Sequence, residues 1–148
     1  MRRFLSGQLA RRAAGIVVAA LSLFIGSCSS NPSRNEVIGI YVLEKQGGNR
    51  ITLTLSSDGV FNEKIRTSGS LKFVVGTWSI RGGNVDFDQI WIPQTFAPQK
   101  IVEAEKQAGE RQSKYTDPRH WALPVGRSWG QVKMEIFPDD HVEFVMVS

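Results

Sequence analysis

The sequence predicts an all-β domain, a single small antiparallel barrel or sandwich of about seven strands. Three observations carry this expectation. Apolar and polar residues alternate with a period of two, most cleanly where Ile51, Leu53 and Leu55 interleave with Thr52, Thr54 and Ser56. That period places one set on one face of a pleated strand. Glycine-bearing turns recur at close spacing, at Gly47-Gly48-Asn49, Asp58-Gly59 and Gly82-Gly83-Asn84. The chain ends on two alternating runs, Gln131–Phe137 and His141–Val147, around Pro138-Asp139-Asp140.

The elements follow in order. Val37 to Glu44 is apolar on both faces, with Ile38, Ile40 and Val42 against Tyr41 and Leu43, so it belongs inside the sheet rather than at an edge. The strand centred on Leu53 follows, and Asp58-Gly59 then supplies a hairpin turn. Val60 to Arg66 returns antiparallel, with Phe61 and Ile65 on a shared face. Leu71 to Ile80 is a fourth strand, and Val85 to Asp88 a fifth. A short apolar run, Ile90 to Ile92, stops at Pro93. In the closing hairpin Val132, Met134 and Ile136 face one way, as do Val142, Phe144 and Met146.

The alternation fails between Pro93 and Gly130. Residues 94–130 are expected to form an irregular or partly helical insert. Gln99 to Gln112 is rich in Ala, Glu, Lys and Gln, although only Ile101, Val102, Ala104 and Ala108 could form an apolar stripe. A long connection of this kind in a compact domain is usually functional or mobile.

Ahead of the domain stands a leader. Arg2, Arg3, Arg11 and Arg12 form a positive n-region, and Ala13 to Ile25 is nearly free of polar side chains. That apolar run suits an exported h-region and falls short of the roughly 20 residues a spanning helix needs. Ile25-Gly26-Ser27-Cys28 follows directly and resembles the lipobox of bacterial lipoproteins. The resemblance implies cleavage before Cys28 and acylation of its sulfur. Cys28 is the single cysteine, so no internal disulfide can form. Two or three acyl chains hold a protein stably on a membrane. Ser29 follows the cysteine where such lipoproteins often carry an aspartate for inner-membrane retention, which favours an outer membrane in a two-membrane envelope. The expected organisation is a signal peptide over 1–27, a lipidated N-terminus and tether over 28–36, and a β-domain over 37–148.

Charge excludes one class of partner. Four of the 18 Lys and Arg residues precede Cys28 and none of the 14 acids does, so the mature chain balances at 14 − 14 = 0. The basic whole-chain pI belongs to the leader, and nucleic-acid binding loses its electrostatic basis.

Three short motifs fall on successive strands or their turns: Gly39-Ile40-Tyr41, Asp58-Gly59-Val60-Phe61 and Gly76-Thr77-Trp78. Together they resemble the G-x-Y, D-G-x-F, G-T-W pattern of lipocalin-like β-modules in bacterial envelope lipoproteins, including the copper-resistance lipoprotein family. The resemblance spans Ile38 to Phe87 and implies an architecture. It implies no ligand: the paired cysteines of the copper-resistance family are missing, and Trp78 comes on the fourth strand where lipocalins carry their G-x-W tryptophan on the first.

Candidate chemistry is sparse. Asp86 and Asp88 project from one strand face, where they read as hard-cation ligands or an acid/base dyad or, more simply, as a solvated face. Asp139 and Asp140 suit a turn. His120 and His141 are far apart in sequence and lack metal-ligand spacing. Ser56, Ser57 and Ser113 have no nucleophile elbow around them. No cofactor and no catalytic set is expected. Trp91, Tyr115, Trp121 and Trp129 fall in or beside the insert and read either as a satellite core or as a binding surface. The expectation is a non-enzymatic, lipid-anchored envelope protein that binds a protein partner or an apolar small molecule at the barrel mouth. The alternatives are a structural or stress-response lipoprotein without a pocket and, third, a hydrolase or metal-dependent enzyme.

Overall fold

The computed structural model describes residues 31–109, 115 and 117–148. The leader, Cys28, Ser113 and the end of the helix-forming run from residue 110 lie outside the described residues. The chain forms a closed antiparallel barrel in which each strand pairs with the next and the last returns to the first. The strands are β1 Gly39–Lys45, β2 Asn49–Leu55, β3 Val60–Thr67, β4 Ser70–Arg81, β5 Asn84–Ile90, β6 Arg119–Ser128, β7 Gln131–Phe137 and β8 Val142–Met146. Closure runs through β1, which pairs with β2 along its length and with β8 at Tyr41↔Met146 and Val42↔Val145. This is the interior position expected from its two apolar faces.

The all-β expectation holds, with eight strands rather than seven. The additional strand, β6, lies inside the segment read as an irregular insert. Its alternation was hidden because Ala122, Pro124 and Gly126 give the outward face little polar contrast with Leu123 and Val125. A proline also argues against a strand, since it removes a ladder donor. Pro124 is tolerated at a changeover: its pairing with Asn84 ends the ladder to β5, and Val125↔Met134 begins the ladder to β7. The remaining insert contains a 3-10 turn at Gln94–Phe96 and the helix α2 Gln99–Gln107, within the run of helix-forming composition.

Side chains fill the barrel. Tyr41, Phe61, Phe87, Phe96 and Phe144 are fully buried, together with Ile51, Leu53, Leu55 and Leu123. Each large apolar side chain so placed contributes roughly 1.5–3 kcal/mol relative to exposure. Phe61 and Phe87 meet edge to face, 5.3 Å between centroids at 86°, the arrangement their ring quadrupoles favour.

Both ends are covered. The upper end carries the β1–β2, β3–β4 and β7–β8 turns and the long β5–β6 connection, whose Ile92 and Phe96 are completely buried. Lys45 Nζ ties that connection down by donating to Ala97 O at 3.0 Å. The lower end is closed by a short N-terminal helix, α1 Arg34–Val37. Residues 33–36, expected to belong to a tether, are thus ordered; residues 28–30 of that tether lie outside the described residues. Glu36 Oε2 accepts from the Ser33 backbone N–H and hydroxyl, both at 2.8 Å, and Glu36 pairs with Arg127 on β6. These contacts hold the Glu36 carboxyl down at about 2, the bond from Ser33 N–H contributing most. Arg34 stacks 4.9 Å from the Trp78 ring centroid, buried Val37 enters the core, and Tyr41 Oη donates to its carbonyl at 2.7 Å.

Gly76 permits a close approach of a core ring to the wall. A Cβ there would lie 2.6 Å from Phe61 Cε1 and 2.9 Å from Cζ, and Phe61 is wedged against Phe87. Gly76→Ala is therefore expected to destabilise the barrel by about 1–3 kcal/mol, the usual cost of overpacking, measured by urea denaturation.

Candidate binding surface

The four aromatics singled out from the sequence do not form one surface. Trp91 and Tyr115 meet at the upper end, where Trp91 Nε1 donates to Tyr115 O at 2.8 Å. Tyr115 is buried against Ala97 and Val102, and its hydroxyl donates to Glu105 Oε2 at 3.1 Å. Tyr115 thus belongs to a satellite core with Ala97 and Val102, while Trp91 packs on the main core. Trp121 stands in the barrel wall opposite Phe87 and packs on the main core. Its Nε1 is buried with no partner among the described residues. Trp129 lies at the opposite end of the barrel, in the β6–β7 turn, and is 100% exposed.

Glu63 is the one charged residue buried among the described residues, at 1% exposure. It sits on β3 between Phe61 and Ile65, so the pleat turns it inward. Its placement answers a gap in the wall. β4 and β5 are paired only from Trp78↔Phe87 to Arg81↔Asn84, and β5 is irregular between Phe87 and Ile90. Above that point the two strands part. Glu63 Oε2 accepts the Trp91 backbone N–H at 2.9 Å, and Lys72 Nζ lies 4.1 Å from the Trp91 ring centroid. Side chains thus do across this gap what a ladder does elsewhere. Burial pushes the Glu63 carboxyl up to about 8, opposed by the bond from Trp91 N–H, and Oε1 has no partner among the described residues.

The outer wall holds the feature most unlike an ordinary solvated barrel. Leu71, Phe73 and Val75 are exposed at 51%, 68% and 60% and stand in a row on the outward face of β4. Their cross-strand neighbours on β3 are Arg66, Lys64 and Asn62. Lys64 Nζ is 6.0 Å from the Phe73 centroid, and neither Lys64 nor Arg66 has an acidic partner among the described residues. An apolar row bordered by unpaired cations differs from the scattered single apolar residues of an ordinary surface.

Both features follow from the pleat once one residue of each strand is placed. Trp78 and Ile80 point inward, which sends Leu71, Phe73 and Val75 outward. The shared face of Phe61 and Ile65 likewise includes Glu63. An apolar side chain on the outside and a carboxyl on the inside each run against the simplest use of alternation, so the pattern alone does not announce them.

The remaining candidates disperse. Asp86 and Asp88 share the outer face of β5 as expected, but Asp86 pairs with Arg81 at 3.6 Å and Asp88 Oδ2 accepts from Thr77 Oγ1 at 3.4 Å. They line an open cleft of about 530 Å³ with His120. His141 lines a different cleft, of about 410 Å³ between β1 and β8, so the two histidines do not share a site. No group of three or more metal-ligating side chains occurs among the described residues.

Glu63 predicts a pH dependence. Its folded-state value lies above the ordinary 4.5, so between about 4.5 and 8 the native chain holds a proton that the unfolded chain releases, and stability falls as pH rises through that window. The full effect is about 5 kcal/mol at most. Chemical denaturation from about pH 5 to pH 9 should show this decline in the wild type and a nearly flat profile in Glu63→Gln, which keeps an acceptor for Trp91 N–H. In comparisons with known proteins, no family model, no curated protein and no solved structure matches the chain.

Proposed function

We propose that this chain is a lipid-anchored cell-envelope protein, held by acylated Cys28, whose barrel is a non-enzymatic module that binds a protein partner through the outer wall of β4. In an envelope with two membranes it belongs on the periplasmic face of the outer one. The carrying observation is the exposed row of Leu71, Phe73 and Val75. Burying such a row against a complementary surface releases apolar area from water, and aromatic side chains near the centre of an interface often dominate its energy. Lys64 and Arg66 beside the row favour a partner with acidic groups around an apolar centre.

An apolar small molecule at the barrel mouth is less well supported. The interior is occupied by four fully buried aromatic rings from the strands, Tyr41, Phe61, Phe87 and Phe144, and the mouth is covered by Ile92 and Phe96. That filled interior is also the observation that favours a second reading, a structural lipoprotein with no dedicated contact surface.

One experiment separates the two. A photo-crosslinking residue at position 73 in membrane-held protein should yield a discrete adduct, whereas the same probe at Thr54 should not. The adduct should vanish in Leu71→Asp, with folding stability changed by no more than about 0.5 kcal/mol, as for an exposed site. Equal labelling from both positions, or none, would leave the structural reading standing. Mass spectrometry of the mature N-terminus tests the anchor separately: a diacylglyceryl Cys28 is expected.

A further inference from the structure

The lower end of the barrel gathers two features that nothing above has connected. The first is the exit of the N-terminus. Asn31 packs on the β4–β5 turn, where a Cβ at Gly83 would come within 2.9 Å of its Nδ2. Cys28 lies three positions earlier, a span of at most about 10 Å for extended chain. The second is Trp129, in the neighbouring β6–β7 turn at the same end.

Trp129 is anomalous in two independent ways. Its φ is 53° and that of Gly130 is 80°, so both central residues of this two-residue turn lie in the left-handed region. Asn-Gly and Asp-Gly suit such a turn, and a bulky side chain in its first position is strained. The indole is also 100% exposed. A strained backbone and an unpacked apolar ring are both unfavourable, and no contact within the described chain offsets either. Tryptophan is the side chain that settles best at a membrane–water interface, its ring among the glycerol and upper acyl groups and its N–H toward water.

We infer that Trp129 inserts into the interfacial layer of the bilayer that holds the N-terminal lipid, giving the barrel a second point of attachment and an upright orientation. The inference rests on the proposed lipid anchor at Cys28. Arg81, the last residue of β4 at this end, pairs with Asp86 at 3.6 Å but keeps its side chain 84% exposed, which leaves room for it to meet lipid phosphates as well. Arg127, next to the turn, is paired with Glu36. With the lower end on the membrane, the Leu71–Phe73–Val75 row, near the upper end of β4, is carried away from the lipid surface.

The test uses the mature lipidated protein in vesicles of phosphatidylethanolamine and phosphatidylglycerol bearing brominated acyl chains. Bromine should quench a tryptophan component that is lost in Trp129→Asn, and the same component should be shielded from acrylamide in the aqueous phase. Trp129→Asn also guards against misfolding, because asparagine suits the left-handed position; it should be at least as stable as the wild type while losing the quenched component. If the protein co-floats with vesicles but Trp129 stays accessible to acrylamide and unquenched, the insertion is wrong and the anchor stands. If the ring is shielded without bromine quenching, it contacts protein instead, and the insertion is again overturned. If the protein fails to co-float, the anchor reading fails and takes this inference with it.

Discussion

Closure of the barrel between β1 and β8 is the constraint from which the other features follow. Once Tyr41 and Val42 pair with Met146 and Val145, each strand has one face in a shared interior and one outside, and the pleat assigns every side chain to one or the other. An edge strand can tolerate ambiguity, but a closed wall cannot, because slipping one strand by a residue would turn its core outward. The interior is then filled by large rings, and Gly76 is the position at which the wall gives way to admit Phe61. Inside such a packed volume there is little room for a ligand. What the molecule offers to others is therefore on its outer wall and at its two ends.

The chain announces most of its architecture and little of its surface. The Ile51–Leu55 alternation, the Asp58-Gly59 turn and the closing hairpin could be read because one face of each strand is buried and the other is wet. β6 could not, because Ala122, Pro124 and Gly126 supply no polar contrast and Pro124 sits where a strand normally excludes it. Its role becomes visible only with the sheet assembled, when the residue is seen at the change of partners from β5 to β7. The helix α1 is hard to read in the sequence for a different reason. Four residues cannot show a helical period, and its order comes from the local capping box between Ser33 and Glu36 together with distant contacts with Trp78 and Arg127.

The candidate surfaces are illegible in the sequence because they use the pattern in reverse. Leu71, Phe73 and Val75 satisfy the eye as core residues, yet Trp78 on the same strand puts them outside. Glu63 looks like a solvated carboxylate, yet Phe61 and Ile65 carry it inward. Trp91, Tyr115, Trp121 and Trp129 looked like one cluster because they are near in sequence, but β6 carries the last two from the upper connection down the barrel wall. Only Trp129 ends with its ring in solvent, and at the end where the N-terminus leaves.

The docking of α1 has a mechanical meaning. A pull on the N-terminus does not act first on β1, whose ladder to β8 is the shortest in the barrel and the one on which closure depends. It is resisted by the stacking of Arg34 on Trp78, by the ion pair between Glu36 and Arg127, and by the seating of Val37 in the core. These attach the helix to β4, to β6 and to the interior. Load entering at one point is shared among separate parts of the wall, and the seam most easily unzipped is shielded from it.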